Sequence, residues 1–151
     1  MRIRAGIILI SENKLAFIKR VKAGKTYYVI PGGGLDDGEY TDEAAIREAQ
    51  EELGVTVEVS RLLFMVERVE HQKVTHLQMY YLVNKIDDMF GSGTGEEYQR
   101  PSERGTYEAV WLHLDELEKH DCYPSVITNF LQEHGLPKNI VHFKEAHNYP
   151  K

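Results

Sequence analysis

At 151 residues the chain has the length of one ordinary domain, large enough to bury a core of its own. Its 24 acidic against 18 basic side chains give a formal charge of −6 and a pI near 5.6, which argues against a nonspecific binder of nucleic-acid polymers or of a membrane surface. The single cysteine, Cys122, cannot form an internal disulfide, and the amino terminus shows neither a spanning apolar run nor a small-residue cleavage site, so the expected location is the cytoplasm.

Taken in chain order, Ile3–Ile10 and Lys14–Arg20 are β-prone runs separated by Ser11-Glu12-Asn13, a hairpin signal. A third short strand, Thr26–Ile30, ends at Pro31 and runs into Gly32-Gly33-Gly34. Thr41 is the expected N-cap of a helix over Asp42–Leu53, with acids in its first turn and Gly54 at its C-terminal end. Val55–Val69 and Val74–Ile86 are rich in branched and aromatic residues and are expected to pair as a hairpin turning at Glu70–Lys73. Gly91 to Pro101 has no hydrophobic period and reads as an exposed loop, in the place of a lid. Tyr107–Leu112 returns to strand character, Leu114–His120 suggests a short helix, and Pro124–His134 a longer one closed by Gly135 and Pro137. Strands interleaved with helices point to an α/β domain with a mixed sheet between helices. A single domain over residues 1–137 is expected, leaving 138–151 as a tail without an assigned structure.

The helix carries the chemistry. On a wheel of about 100° per residue, Glu48, Glu51 and Glu52 fall within an arc of roughly 100°, while Ile46, Ala49 and Leu53 gather on a neighbouring face that reads as core. Like charges at spacings of three and four oppose helix formation, so a cation that neutralises them gives the pattern its reason. Hard cations such as Mg²⁺ or Mn²⁺ take carboxylate oxygens and keep open positions for water and substrate phosphates.

Gly33, five residues, Glu39, seven residues, then Arg47-Glu48-Ala49-Gln50-Glu51-Glu52-Leu53-Gly54-Val55 resembles the Nudix box at all its fixed positions. Ala49 is the one mild departure, since the family often has a larger aliphatic residue there. The resemblance implies an α/β/α sandwich and a metal-dependent pyrophosphohydrolase. It implies that Glu48, Glu51 and Glu52, joined by the backbone carbonyl of Gly33, hold Mg²⁺ or Mn²⁺, that Arg47 orients a box carboxylate, and that Glu39 orients the loop or assists catalysis. It also implies a catalytic base, either a box glutamate or one outside it; among Glu96, Glu97, Glu103 and Glu108, Glu97 is preferred and Glu108 comes next.

Recognition of the substrate is less defined. Arg2, Arg4, Lys19 and Arg20 lie on or beside the early strands and are candidates to meet phosphates. Tyr27, Tyr28, Tyr80, Tyr81 and Trp111 are candidates to stack on a base, although strand aromatics are usually core. Arg4 and Tyr28 are the substrate-binding residues carried forward. The expected partner is a small nucleotide, with the protein a monomer or homodimer that engages no membrane. A nucleoside triphosphate, ordinary or oxidised, is the first expectation, as in MutT-like members. ADP-ribose follows, because no proline of the kind that marks many ADP-ribose hydrolases stands shortly after the box. A non-catalytic nucleotide-sensing module is the reading from a different class.

Overall fold

The computed structural model describes residues 1–87, 89–91 and 105–145. Glu97, with Glu96 and Glu103, therefore lies outside the described residues.

Two curved halves of one mixed sheet share the strand β1 (Arg2–Ser11). β1 meets β2 (Lys14–Lys22) only at the hairpin end, through Ile10↔Leu15 and Ser11↔Lys14. Glu12 and Asn13 both adopt positive φ, as a tight two-residue hairpin requires. Beyond that point the strands part. β2 turns to β3 (Lys25–Val29) and to β7 (Thr106–His113), whereas β1 runs parallel to β6 (Lys73–Lys85). The place that β2 vacates is taken by β4 (Gly32–Gly34), which pairs with β1 through Arg4↔Gly34, Ala5↔Gly33 and Gly6↔Gly32. The triple glycine thus forms a short strand of its own.

β5 (Val57–Glu70) and β6 form the expected long hairpin, turning at His71 and Gln72 with positive φ. Outside β5 lies β9 (Val141–Glu145), parallel to it from Phe64↔Val141 to Arg68↔Glu145. The segment beyond Pro137, unassigned from sequence, therefore contributes a strand to the sheet. A two-residue strand β8 (Cys122–Tyr123) edges β3.

Side-chain alternation divides the core between the two faces of the sheet. Ala5, Ile7 and Leu9 of β1 pack with Ala44, Ala45, Ala49 and Leu53 of the first helix. Ile8, with Leu15, Phe17, Leu63, Phe64 and Val66, packs with Ile127 and Leu131 of α2 (Ser125–His134). Helices therefore cover opposite faces, as expected of an α/β/α sandwich. The short helix expected over Leu114–His120 is a 3₁₀ segment over Leu114–Lys119. No helix among the described residues is long and apolar enough to cross a membrane.

The first helix differs from its expected form in three ways. Thr41 opens it rather than capping it, and the preceding Tyr40 N–H donates to the Glu43 carboxylate at 2.9 Å. The α-helical part, α1 (Thr41–Glu48), continues into a wider π-helical turn, Ala49–Leu53, closed by Gly54 at φ +73°. The wider winding displaces the last residues from an ideal 3.6-residue wheel, and such turns gather at functional sites. Ile46, placed on the core face by that wheel, is 39% exposed; the alanines and Leu53 supply the buried stripe instead.

Candidate active site

The acid side of the site is built on α1 and its π turn. Glu48 and Glu52 are both buried, at 6% and 8% exposure, and their carboxyls stand within hydrogen-bonding reach of each other. Burial holds the Glu48 carboxyl above the ordinary carboxylate range, opposed by its bonds to Glu52 and Arg47. Gly33 explains how the pair fits against the sheet: a Cβ there would lie 2.3 Å from Glu48 Oε1. β4 passes so close to the Glu48 carboxylate that only a glycine fits without moving it.

Arg47 ties this arrangement to the preceding loop. Its Nε and Nη2 donate to the two oxygens of Glu39 at 2.9 and 3.0 Å, and Nη2 also donates to the Gly34 carbonyl at 2.8 Å. Nη1 reaches Glu48 Oε1 at 2.9 Å and Glu51 Oε2 at 3.1 Å, and Asp36 lies 3.1 Å from Nε. Glu39 further accepts the Asp36 N–H at 2.9 Å. The bidentate bond from Arg47 is the main reason that its carboxyl sits below the usual range. Glu39 is thus engaged with the loop and with Arg47.

The three glutamates do not converge equally. Among the described residues no three His, Cys, Asp or Glu side chains form a ready metal cage. Arg47 accounts for this, since it holds one oxygen of Glu51 and one of Glu48. What the fold brings together is a buried pair, Glu48 and Glu52, with Glu51 beside it. Two carboxyls buried face to face need a proton or a cation between them, and an all-oxygen donor set suits a hard divalent ion. The residues present therefore fit such an ion.

Across the glycine strand lies a side of opposite charge. β1 and β6 run in register, so Arg2 stands beside His76 and Arg4 beside Gln78; on the next strand Arg68 stands beside His76. Arg68, His76 and Arg2 form one row across three strands. These residues line a cavity of about 310 Å³ opened by the divergence of β1 and β2, and Arg20 of β2 faces them across it. A second cavity, about 290 Å³, shares Arg2, Arg4 and Arg20 and is walled on its other side by Glu48 and Glu52. With no side chains on Gly32, Gly33 and Gly34, the acid pair and the arginines open into one space. Arg4 Nη2 donates to the Gly32 carbonyl at 3.2 Å, which anchors its guanidinium at this junction.

Other candidates fall elsewhere. Tyr28 packs edge-on against Phe17 and His120 and does not line either cavity. Tyr27 is buried beside Tyr123, Trp111 stacks on Phe90 with centroids 4.5 Å apart, and the Tyr81 hydroxyl lies 2.5 Å from that of Thr41. Glu108 is exposed on β7, in register with Lys19, while its neighbour Tyr107 faces the cavity. Arg68 and His76 were missed from sequence. The available signal was an arginine and a histidine set among the apolar residues of β5 and β6. Cys122 is buried, its thiol pushed up to about 12 by burial, which removes it from consideration as a nucleophile.

The family model for the NUDIX domain matches residues 1–133. An RNA pyrophosphohydrolase of Novosphingobium aromaticivorans is 28% identical over 149 residues, covering 92% of this chain and 82% of that protein. Diphosphoinositol polyphosphate phosphohydrolase 3-alpha of Mus musculus is 41% identical over 115 residues, covering 74% of this chain and 65% of that protein. RNA pyrophosphohydrolases of Wolbachia match over 49 residues, so the chain spans only 30% of their length. A solved NUDIX hydrolase from Nitrosomonas europaea shares the fold with a TM-score of 0.67 at 20% identity, covering 95% of this chain and 79% of that one.

Proposed function

The chain belongs to the NUDIX family, and from that premise we propose that it is a divalent-metal-dependent pyrophosphohydrolase whose first substrate class is a nucleoside triphosphate, cleaved to the monophosphate. The observation that carries this is the buried Glu48–Glu52 pair opening into a cavity walled opposite by arginines. Carboxylates beside arginines in one space suit a ligand that is polyanionic at one end and cation-bridged at the other.

A bound Mg²⁺ or Mn²⁺ would supply charge neutralisation on the anhydride and a water acidic enough to ionise near neutral pH. Glu48, Glu51 and Glu52 are the residues to hold it, with Gly33 leaving room for Glu48. Arg47 fixes the rotamers of Glu48 and Glu51, and Glu39 fixes Arg47, the kind of outer support on which metal ligands depend. Arg4 and Arg2 bind and orient the phosphates. Of Glu48, Glu51 and Glu52, Glu51 is the one not buried, with 38% of its side chain exposed, so it is the one open to solvent water. We read residues 1–145 as one domain, because β9 completes the edge of the sheet beside β5.

The experiment is a hydrolysis screen of nucleoside triphosphates, oxidised triphosphates, ADP-ribose, dinucleoside polyphosphates and 5′-triphosphorylated RNA with Mg²⁺ or Mn²⁺, run beside Glu52→Gln. Turnover in the wild type that falls by more than about a thousandfold in a folded Glu52→Gln supports the reading, since the loss of a metal charge removes several kcal/mol of transition-state stabilisation. Equal turnover in the variant would remove Glu52 from the chemistry.

A further inference from the structure

The basic half of the cleft carries more cationic groups than one anhydride needs. Four guanidiniums, those of Arg2, Arg4, Arg20 and Arg68, line one cavity together with His76. The Arg68 side chain is only 6% exposed, so it is committed to this interior and not to solvent. The groups oppose one another: Arg4 and Arg68 each depress the Arg2 guanidinium, after burial, and Arg68, Arg2 and Arg4 add to the burial that depresses His76. Acids also stand near them, Glu48 and Glu52 across the glycine strand and Glu70 at 4.0 Å from Arg68. Glu145, the register partner of Arg68 on β9, is buried with neither carboxylate oxygen hydrogen-bonded to any described residue.

The same cleft offers little to a base. Arg20 covers the ring of Tyr107 with its guanidinium carbon 3.8 Å from the centroid, and its Nε donates to the Thr106 carbonyl at 3.2 Å. The Tyr80 ring is 6% exposed, pressed against Gly6, where a Cβ would lie 2.3 Å away, and its hydroxyl donates to Gln78. The two tyrosines that line these cavities are thus already engaged, Tyr107 by Arg20 and Tyr80 by the core.

We propose that the arginine cleft reads the phosphates of its substrate and not the base: it takes a run of roughly three or more phosphate groups, at about one per guanidinium fork, so that inorganic tripolyphosphate fills it as well as a nucleoside triphosphate. This rests on the hydrolase reading for the position of the scissile anhydride beside Glu48 and Glu52. It ranks triphosphates above ADP-ribose, which has only two phosphates to offer.

The test is calorimetric titration of the full chain in EDTA with inorganic tripolyphosphate, pyrophosphate, ATP, GTP, ADP-ribose and a short 5′-triphosphorylated RNA. Tripolyphosphate, ATP, GTP and the RNA end are expected within about threefold of one another, and pyrophosphate and ADP-ribose weaker by about tenfold or more, a difference of 1.4 kcal/mol. Arg4→Gln and Arg20→Gln should each weaken tripolyphosphate by about tenfold; Arg4→Lys, which keeps the charge and loses the fork, should fall between and serves if the glutamine variant is unfolded. Glu52→Gln should bind tripolyphosphate as tightly as the wild type or more so. ATP preferred to GTP or to tripolyphosphate by more than tenfold, the RNA preferred by as much, or ADP-ribose equal to tripolyphosphate would overturn the proposal, as would binding unaffected by folded arginine variants. The two readings fail separately. A wild type that binds tripolyphosphate in this pattern but hydrolyses nothing with Mg²⁺ or Mn²⁺ sinks the hydrolase alone, and hydrolysis without phosphate-governed binding sinks the cleft alone.

Discussion

The acid side and the basic side of the cleft are opposites in construction as well as in charge. On the acid side one arginine, Arg47, is shared among Asp36, Glu39, Glu48, Glu51 and the Gly34 carbonyl, so its carboxylates are oriented before any ligand arrives. On the basic side burial depresses the Arg2 guanidinium, and the neighbouring Arg4 and Arg68 add to it. The first is a scaffold braced by one arginine, with acid left over for a cation; the second gathers guanidiniums in one space and suits an anion. Glycines divide them, Gly33 against Glu48 and Gly6 against Tyr80, and these two positions separate the roles most sharply.

Gly33→Ala is the largest break expected short of removing a carboxylate. The added Cβ meets the carboxylate end of Glu48, a flexible tip that swings aside at little cost to the fold. Turnover should therefore fall by about a hundredfold or more, as for a displaced ligand, while the melting temperature stays within a few degrees. Gly6→Ala instead meets the packed Tyr80 ring at 2.3 Å, so it should cost about 1–3 kcal/mol of stability as an overpacked core does. Paired kinetics and melting curves check both. A Gly33→Ala enzyme with normal turnover would mean that the position of Glu48 is immaterial.

Arg47→Lys sharpens the acid side by keeping its charge and losing its fork. A lysine cannot bridge Glu39, Glu48 and the Gly34 carbonyl at once, so turnover should drop by about 10–100-fold. Because Glu39 is held by both Nε and Nη2 of Arg47, Glu39→Gln added to Arg47→Lys should cost much less than Glu39→Gln alone. Additive losses in that double-mutant cycle would give Glu39 a role of its own, nearer the chemistry.

The contrast also explains what the sequence could reveal. The acid side lies within one contiguous stretch, so Gly33, Glu39, Arg47 and the three glutamates could be read together, and the structure brings them together around Arg47 and β4. The π turn was hidden because it depends on a single extra residue of winding, which no propensity encodes. The basic side arises from parallel registry: Arg2 and His76 become neighbours only once β1 and β6 pair, and Arg68 joins from β5. Arg2, Arg4 and Arg20 could be suspected from their early strands, but nothing local linked them to Arg68. The strand β9 escaped for a related reason, since five edge residues gain their identity from a partner some 75 positions earlier. Tyr28 was a choice among strand aromatics that alternation alone could not order; its face turned out to be shared with Phe17 and His120.

The smallest expected effect is a titration that divides the acid side within itself. Glu39 is held below the ordinary carboxylate range, chiefly by Arg47, whereas burial holds Glu48 above it. For Glu39 the unfolded chain binds a proton more readily than the folded one, so its contribution to stability is fully present above the unfolded value near 4.5 and is lost as pH falls toward the lower folded value. Glu48 has the opposite sign, and its penalty grows as pH rises through the same region and beyond. The urea midpoint of the wild type should therefore exceed that of Glu39→Gln near neutral pH, with the gap closing as pH is lowered from about 5 to about 3. Since Glu48 is common to both proteins, its titration largely cancels from the difference. A gap that stays constant over that range would mean that the bond from Arg47 does not distinguish the ionised Glu39 from a neutral side chain of the same shape.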